Sequence, residues 1–584
     1  MIKIDRKGIL HIPNSNFAYA TDEENFCVRL RASKGNLTRC TLYYADRVCE
    51  TAPILFTPIP MEEVATDRDF SYYEAKFMTP YSRICYYFKL ETEDEWSYYY
   101  AGFYTKNMGD VVIDGKLLDG RSEYYQYPAI LRTELAQVPD WLKHGCVYNI
   151  FPDSFADGKR AISDQASEII MESGAVSRSN HGGTIKGITA NLDYIQELGC
   201  NCLYLNSIFA AASYHKYDTI DYMQIDPCLG TNDDLKELVE SAHARGMKVI
   251  LDGVFNHCGS QFFAFRDVVE KGKDSSYLNW FYHIELPIQR ENEAGIPNYT
   301  CFAYVADMPK LNTANPEVQK YFAEVCRYWI EEYRIDGWRL DVSNEVSKEF
   351  WHTFKRTARS VNPESVLIGE VWENAQDWLR FDLFESTMNY DFRRHCRDFF
   401  AMHRIDSAEF NTRVTDLRMR YPEDYWRAQL NLLDSHDVAR FLSVCEGNMD
   451  RLKQAIAFQM LFPGVPSIFA GDEVGVRGLT EPEYRAPMPW GYGDQDLFAF
   501  YQKAIALHKL PEVQNGNFRC IFAEENTMVY KCSVSYGGSE LKAVFNSSEH
   551  SIPCEISEGT KILIENHYSE EKLGQDGFVV FATS

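Results

Sequence analysis

Lys248-Val249-Ile250-Leu251-Asp252-Gly253-Val254-Phe255-Asn256-His257 decides the fold. Its apolar half is short and rich in β-branched residues, which reads as a buried strand. The polar residues gather at its C-terminal end. The segment before it carries helix grammar. Thr231 and Asp234 form a capping-box-like start, Leu235, Leu238, Val239 and Ala242 make one apolar face, and Gly246 ends it. Helix followed by buried strand is the repeating unit of a parallel α/β fold.

Working outward, the same unit recurs from about residue 145 to 505. Strands are predicted over 146–151, 202–206, 248–254, 337–341, 365–370, 388–392, 429–434 and 467–471. Eight strands with helices between them count out a (β/α)8 TIM barrel. The stretch 257–312 is too long for a simple loop and is expected to form an inserted subdomain after strand three. Residues 1–125 alternate β-rich runs with polar turns and read as an N-terminal β-sandwich, and 511–584 as a C-terminal β-sandwich. The barrel region is thus 126–510.

Composition bounds the function. Of 584 residues, 45% are hydrophobic and 25% charged, an ordinary globular balance. A formal charge of −26 repels polyphosphate and anionic membranes, which argues against nucleic acid and lipid partners. Aromatic residues at 14% offer flat apolar faces that suit sugars. The N-terminal segment has charges at Lys3, Asp5, Arg6 and Lys7 instead of a signal-peptide core, and no apolar run is long enough to span a membrane. The 16 cysteines form no C-x-x-C pair. Cys200 and Cys202 lack further ligands, so buried thiols in a reducing cytoplasm are expected.

In a TIM barrel the C-terminal ends of the strands carry the site. Strand three supplies Asp252, Asn256 and His257. Strand four supplies Arg339 and Asp341, two apart and so on one side. Strand five ends in Glu370, and strand seven is followed by His436 and Asp437. With 85 acidic residues any single pair means little. Acids and histidines at four strand ends, however, converge on one axial pocket. Glycoside hydrolysis needs such a set, with one carboxylate to attack the anomeric carbon and a carboxylic acid to protonate the leaving oxygen. Arg339 beside Asp341 is expected to keep that carboxylate ionised, and the apolar neighbours of Glu370 to raise its pKa. Asp437, His257 and His436 suit sugar hydroxyls.

LDGVFNH, DGWRLDVSNEV, IGEVW and LLDSHD together resemble the four signature regions of the alpha-amylase family of glycoside hydrolases. MPKLN (Met308–Asn312), the pair Asn344-Glu345 and the segment His215-Lys216-Tyr217-Asp218-Thr219 resemble its neopullulanase, cyclomaltodextrinase and maltogenic amylase subfamily. The resemblance implies Asp341 as nucleophile, Glu370 as acid/base and Asp437 as transition-state stabiliser. It places Arg339, His257 and His436 on the sugar in the cleaved subsite, with Tyr217 stacked beneath it. Asp252 and Asn256 would support the site. Trp372 and Phe281 are candidates for aromatic contacts on the acceptor side, with ordinary packing as the competing reading. Glu481 and Arg485 fall where the subfamily places an Asp and an Arg on the next glucose. The implied activity is retaining hydrolysis of cyclodextrins, pullulan and short maltooligosaccharides, with transglycosylation, by a homodimer.

Departures from the subfamily pattern bear on cofactors. Lys159 and Thr184 stand where a carboxylate-bearing calcium site is often found, and remove the charge a hard cation needs. No cofactor or metal is required on this reading. Asn149 replaces a common glutamine. A transferase or isomerase on the same scaffold is the alternative. A non-catalytic binding barrel is opposed by the intact acids, and a metal-dependent hydrolase by the lack of an H-x-H pair.

Overall fold

The structure is a computed structural model that describes residues 2–48, 53–108, 112–113, 116–117, 123–157, 180–292, 294–380 and 383–583. Eight parallel strands close into a barrel: β1 (Val147–Ile150), β2 (Cys202–Leu205), β3 (Lys248–Gly253), β4 (Gly337–Leu340), β5 (Val366–Gly369), β6 (Ser386–Asn389), β7 (Leu430–Leu432) and β8 (Val465–Phe469). All eight are buried on both faces, which is why most of them read as apolar runs; β6, Ser-Thr-Met-Asn, is buried but polar. Register sets Asp252 of β3 beside Arg339 of β4, and Leu340 beside Gly369 of β5. Functional side chains therefore leave the barrel at one level.

The helix before β3 spans Asn232–Ala244, with the reciprocal Thr231–Asp234 capping box in place. Strand six departs from the sequence-based range. It ends at Asn389, whose side chain accepts the Phe392 N–H and starts a helix at Tyr390. An N-cap thus ends the strand three residues earlier than apolar content suggested.

Between β3 and the long helix Pro316–Tyr333 that precedes β4 lie a helix (Phe263–Lys271) and several short 3-10 turns. Bridge His257–Lys310 stitches the returning MPKLN run onto the end of β3, and bridges Phe281–Leu311 and Cys301–Pro309 tie it to the inserted segment.

The N-terminal region packs two antiparallel sheets around Phe26, Leu30, Leu42, Tyr86 and Phe88. Its aromatic richness is largely absorbed there. Tyr44, Tyr72 and Tyr73 are buried within the chain. Strand Trp96–Tyr100 alternates as its sequence implies: Tyr99 enters the core, while Trp96 is exposed and Tyr98 half-buried. The C-terminal strands bond as one six-stranded sheet. Phe518, Tyr530 and Phe545 of that sheet join the barrel core, and Val544, Leu573 and Val579 form a separate small cluster. Cys200 and Cys202 are buried. Among the described residues no helix is long and apolar enough to cross a membrane.

Candidate active site

Arg339 organises the site. It rises from β4 with no solvent exposure, and its guanidinium faces carboxylates from four strand ends. Nη1 donates to Asp252 Oδ1 and Asp341 Oδ1, both at 2.9 Å, while Nη2 lies 3.0 Å from Glu370 Oε1 and 3.7 Å from Asp437 Oδ2. Against the cost of burial, Asp252 and Glu370 hold its pKa well above the usual value. Stripping a buried cation of all such partners costs several kcal/mol, but removal of any one acid leaves Arg339 compensated by the other three.

One guanidinium cannot neutralise four carboxylates. Burial, then the charge of Glu370, pushes the Asp341 carboxyl well above its ordinary value, and Arg339 only partly offsets them. This corrects the expectation that Arg339 simply keeps Asp341 ionised: Arg339 is shared. The cluster consequently holds a proton to higher pH than an isolated aspartate would. The apolar setting expected around Glu370 is also corrected. Its Oε2 accepts the Val342 N–H at 2.8 Å and its Oε1 the Trp372 indole N–H at 3.0 Å. Val342 is a β-branched residue at φ 44°, a strained conformation that aims its N–H at Glu370.

Asp437 behaves in the opposite way. Burial works against its charge, but His436, Arg339 and Arg485 together hold its carboxyl well below the usual range. His436 is fully buried. The Asn206 amide meets its Nδ1 at 2.8 Å, which assigns the proton to Nε2. That Nε2 lies 3.0 Å from Asp437 and 2.5 Å from the Tyr217 hydroxyl. The Tyr217 hydroxyl then donates to Asp252 Oδ2 at 3.0 Å. Asn149, the departure in β1, donates to Asn206 Oδ1 at 3.1 Å and so steadies the same chain.

A cleft of about 440 Å³ opens above this cluster. It is lined by Tyr217, His257, Asp341, Glu370, Trp372, Asp437, Glu481 and Arg485, and also by His215, Phe302, Met308, Val342 and Asn344. Trp372 is 42% exposed and stacks on Tyr390 at 4.0 Å. His257 has a buried Nε2 with no partner among the described residues, and burial with nearby Lys310 lowers its pKa to about 3. It is therefore a neutral ring with a hydrogen-bonding atom to spare. Arg485 donates to the His436 carbonyl at 2.8 Å and to Glu481 Oε1 at 3.1 Å, and Tyr214 donates to that same Glu481 oxygen at 2.6 Å.

Five expected residues do not line the cleft. Arg339, expected on the sugar, lies beneath it with Asp252, Asn256 and His436 as supports, and Asn256 Oδ1 accepts from Lys310. Phe281 is withdrawn altogether. Its ring packs against Phe265 at 5.1 Å inside the inserted segment, because the bridge to Leu311 turns it inward. Tyr204, Asn206, Tyr214 and Phe302 were not anticipated. Tyr204 and Asn206 sit two apart at the end of β2, a spacing that could have been read; Phe302 carried no sequence signal.

The calcium question turns on the β1 loop. The Thr184 hydroxyl is committed to capping the helix Ile185–Ala190, and the Asp153 carboxylate accepts backbone N–H groups of His181 and Gly182. Lys159 lies outside the described residues. Among the described residues no group of three or more His, Cys, Asp or Glu could hold a metal ion.

An acid-lined cleft above an eight-stranded barrel, backed by one shared arginine, defines a glycoside hydrolase barrel. Residues 149–496 match the family described as alpha amylase, catalytic domain, and residues 4–115 the alpha amylase N-terminal ig-like domain. The chain belongs to the alpha-amylase family of glycoside hydrolases. It is 38% identical to neopullulanase 2 of Thermoactinomyces vulgaris, covering 98% of this chain and 96% of that one. It is 35% identical to an intracellular maltogenic amylase of Bacillus subtilis over 86% of this chain and 84% of the relative. A solved cyclomaltodextrinase superposes with a TM-score of 0.88 at 33% identity, covering 99% of this chain and all of the other.

Proposed function

We propose that this enzyme hydrolyses α-glucosidic bonds in cyclodextrins, pullulan and short maltooligosaccharides with retention of configuration, and transfers some glycosyl groups to sugar acceptors. The observation that carries this reading is the pair Asp341 and Glu370, held on the two terminal nitrogens of Arg339 at 2.9 and 3.0 Å and open to the cleft. Carboxyls gripped by one guanidinium stand close together, as the roughly 5–5.5 Å spacing of retaining enzymes requires.

In the first step Asp341 attacks the anomeric carbon. The bond to the glycosidic oxygen breaks, and that oxygen takes the proton of Glu370. Asp341 ionises most easily when its neighbour Glu370 is the one that carries the proton, since the two charges repel. In the second step Glu370 takes a proton from water, or from a sugar hydroxyl in transfer, and the oxygen displaces Asp341. Asp437, kept ionised, grips ring hydroxyls and stabilises positive charge on the sugar. His257 and Arg485 bind hydroxyls, Tyr217 stacks below the ring, and Trp372 and Glu481 meet neighbouring units. No cofactor takes part.

The names of the relatives support this substrate range, and the word intracellular in one of them supports a cytoplasmic location. Exposed Trp96 and Phe103 on the outer N-terminal sheet support a homodimer. Time-resolved NMR of products from cyclodextrin, pullulan and starch tests the reading. An initial α-anomer is expected; an initial β-anomer would exclude the mechanism, and transfer without hydrolysis would favour the transferase alternative.

A further inference from the structure

A second cavity, of about 230 Å³, shares no lining residue with the catalytic cleft and lies where all three parts of the chain meet. Arg29, Glu74 and Lys76 reach it from the N-terminal sheet, Arg418, Glu423 and Trp426 from the barrel, and Asn517 and Arg519 from the first C-terminal strand, Asn517–Phe522.

Most of its charges are spent. Arg29 pairs with Glu74 at 2.6 Å and also donates to Tyr19 and the Tyr421 carbonyl. Lys76 bonds Glu74 and Glu423, and Glu423 receives Arg427 as well. Arg418 is different. It is 7% exposed, and its side chain has no hydrogen bond or ion pair with any described residue. Its guanidinium is held between Trp426 and Phe518, each ring 5.6 Å away, which fixes its plane and satisfies none of its N–H groups. Trp426, whose ring also walls the cavity, has its indole N–H closed off inside the protein with no partner among the described residues.

An unpaired guanidinium lining a cavity costs free energy that an acceptor would recover. Four lining cations face three carboxylates, Glu62 included, so the excess charge is positive. A planar carboxylate would satisfy one guanidinium edge. A tetrahedral oxyanion presents acceptors in several directions at once, toward Arg418, Arg519 and the Asn517 amide. We propose that this three-domain cavity binds a phosphate group, supplied either as inorganic phosphate or as a sugar monophosphate. Burial, with Arg427 nearby, already lowers the Arg418 pKa to about 10, and an anion beside it would reverse that cost. Bound there, the anion would join the N-terminal sheet, the barrel and the C-terminal sheet.

Calorimetric titration of the full chain at constant ionic strength tests this, with inorganic phosphate and a hexose monophosphate as separate probes and chloride as the control. Saturable phosphate binding is expected, with Kd weakened about tenfold or more in Arg418→Met. Tighter binding of the hexose monophosphate would identify the ester as the ligand, and equal binding the free anion. Arg519→Ala, on an exposed strand residue, gives the same reading without disturbing the interior. No binding beyond chloride, or affinity unchanged in these variants, would overturn the proposal.

Discussion

Glu370→Gln separates proton donation from every other role of this side chain. Both oxygens of Glu370 accept N–H groups: Trp372 on Oε1, and Val342 on Oε2. Glutamine has one acceptor oxygen, so its NH2 must face a donor whichever way it turns. That buried mismatch costs about 1–3 kcal/mol. The amide is neutral, as Glu370 is when it carries the proton, so the charge of the cluster is kept and the variant should fold with a thermal midpoint near that of wild type. Its chemistry should change far more. On cyclodextrin, kcat should fall about 100- to 10,000-fold, the usual worth of a positioned general acid. An aryl maltoside with a dinitrophenyl leaving group needs no such proton, and its first step should stay within about tenfold of wild type. Stopped-flow release of the phenol would then show a burst of one equivalent per site, because the second step still lacks its base. Added azide, which needs no deprotonation, should restore turnover and yield a glycosyl azide. An equal loss on both substrates, or no response to azide, would refute the acid/base assignment.

Asp341→Asn and Asp437→Asn should move stability in opposite directions. The folded-state pKa of Asp341 is raised, so ionising it above the unfolded value of about 3.9 costs stability. The amide variant should therefore melt higher at neutral pH, with the gap closing toward pH 3.9, while kcat falls by orders of magnitude. Asp437 is depressed, so its stabilisation is present above the unfolded value and lost as pH falls through the folded one; its amide variant should melt lower at neutral pH. Calorimetric melts of both across pH decide it, and shifts of the same sign would contradict the cluster electrostatics. Activity should survive exhaustive EDTA treatment, because Thr184 and Asp153 are committed to backbone N–H groups; loss with rescue by calcium would reveal a site elsewhere. Light scattering should report a homodimer, and deletion of residues 1–122 a monomeric or poorly soluble chain without preference for cyclodextrin over starch.

The sequence by itself determined the barrel and the identity of its acids. Buried parallel strands must be apolar on both faces, so runs such as 248–254 announce themselves locally, and the capping box at Thr231 marks a helix without tertiary help. Arg339 and Asp341 share a side because strand periodicity is strict. What depended on distant contacts was not legible. Phe281 reads like any cleft aromatic until the bridge to Leu311 turns it into the inserted segment. The strain at Val342 opposes local preference and exists only because tertiary packing enforces it. Protonation was decided last of all. One neighbour in the sequence suggested an ionised Asp341, whereas its pKa depends on burial and on how many carboxylates share one guanidinium, quantities that belong to the folded cluster alone.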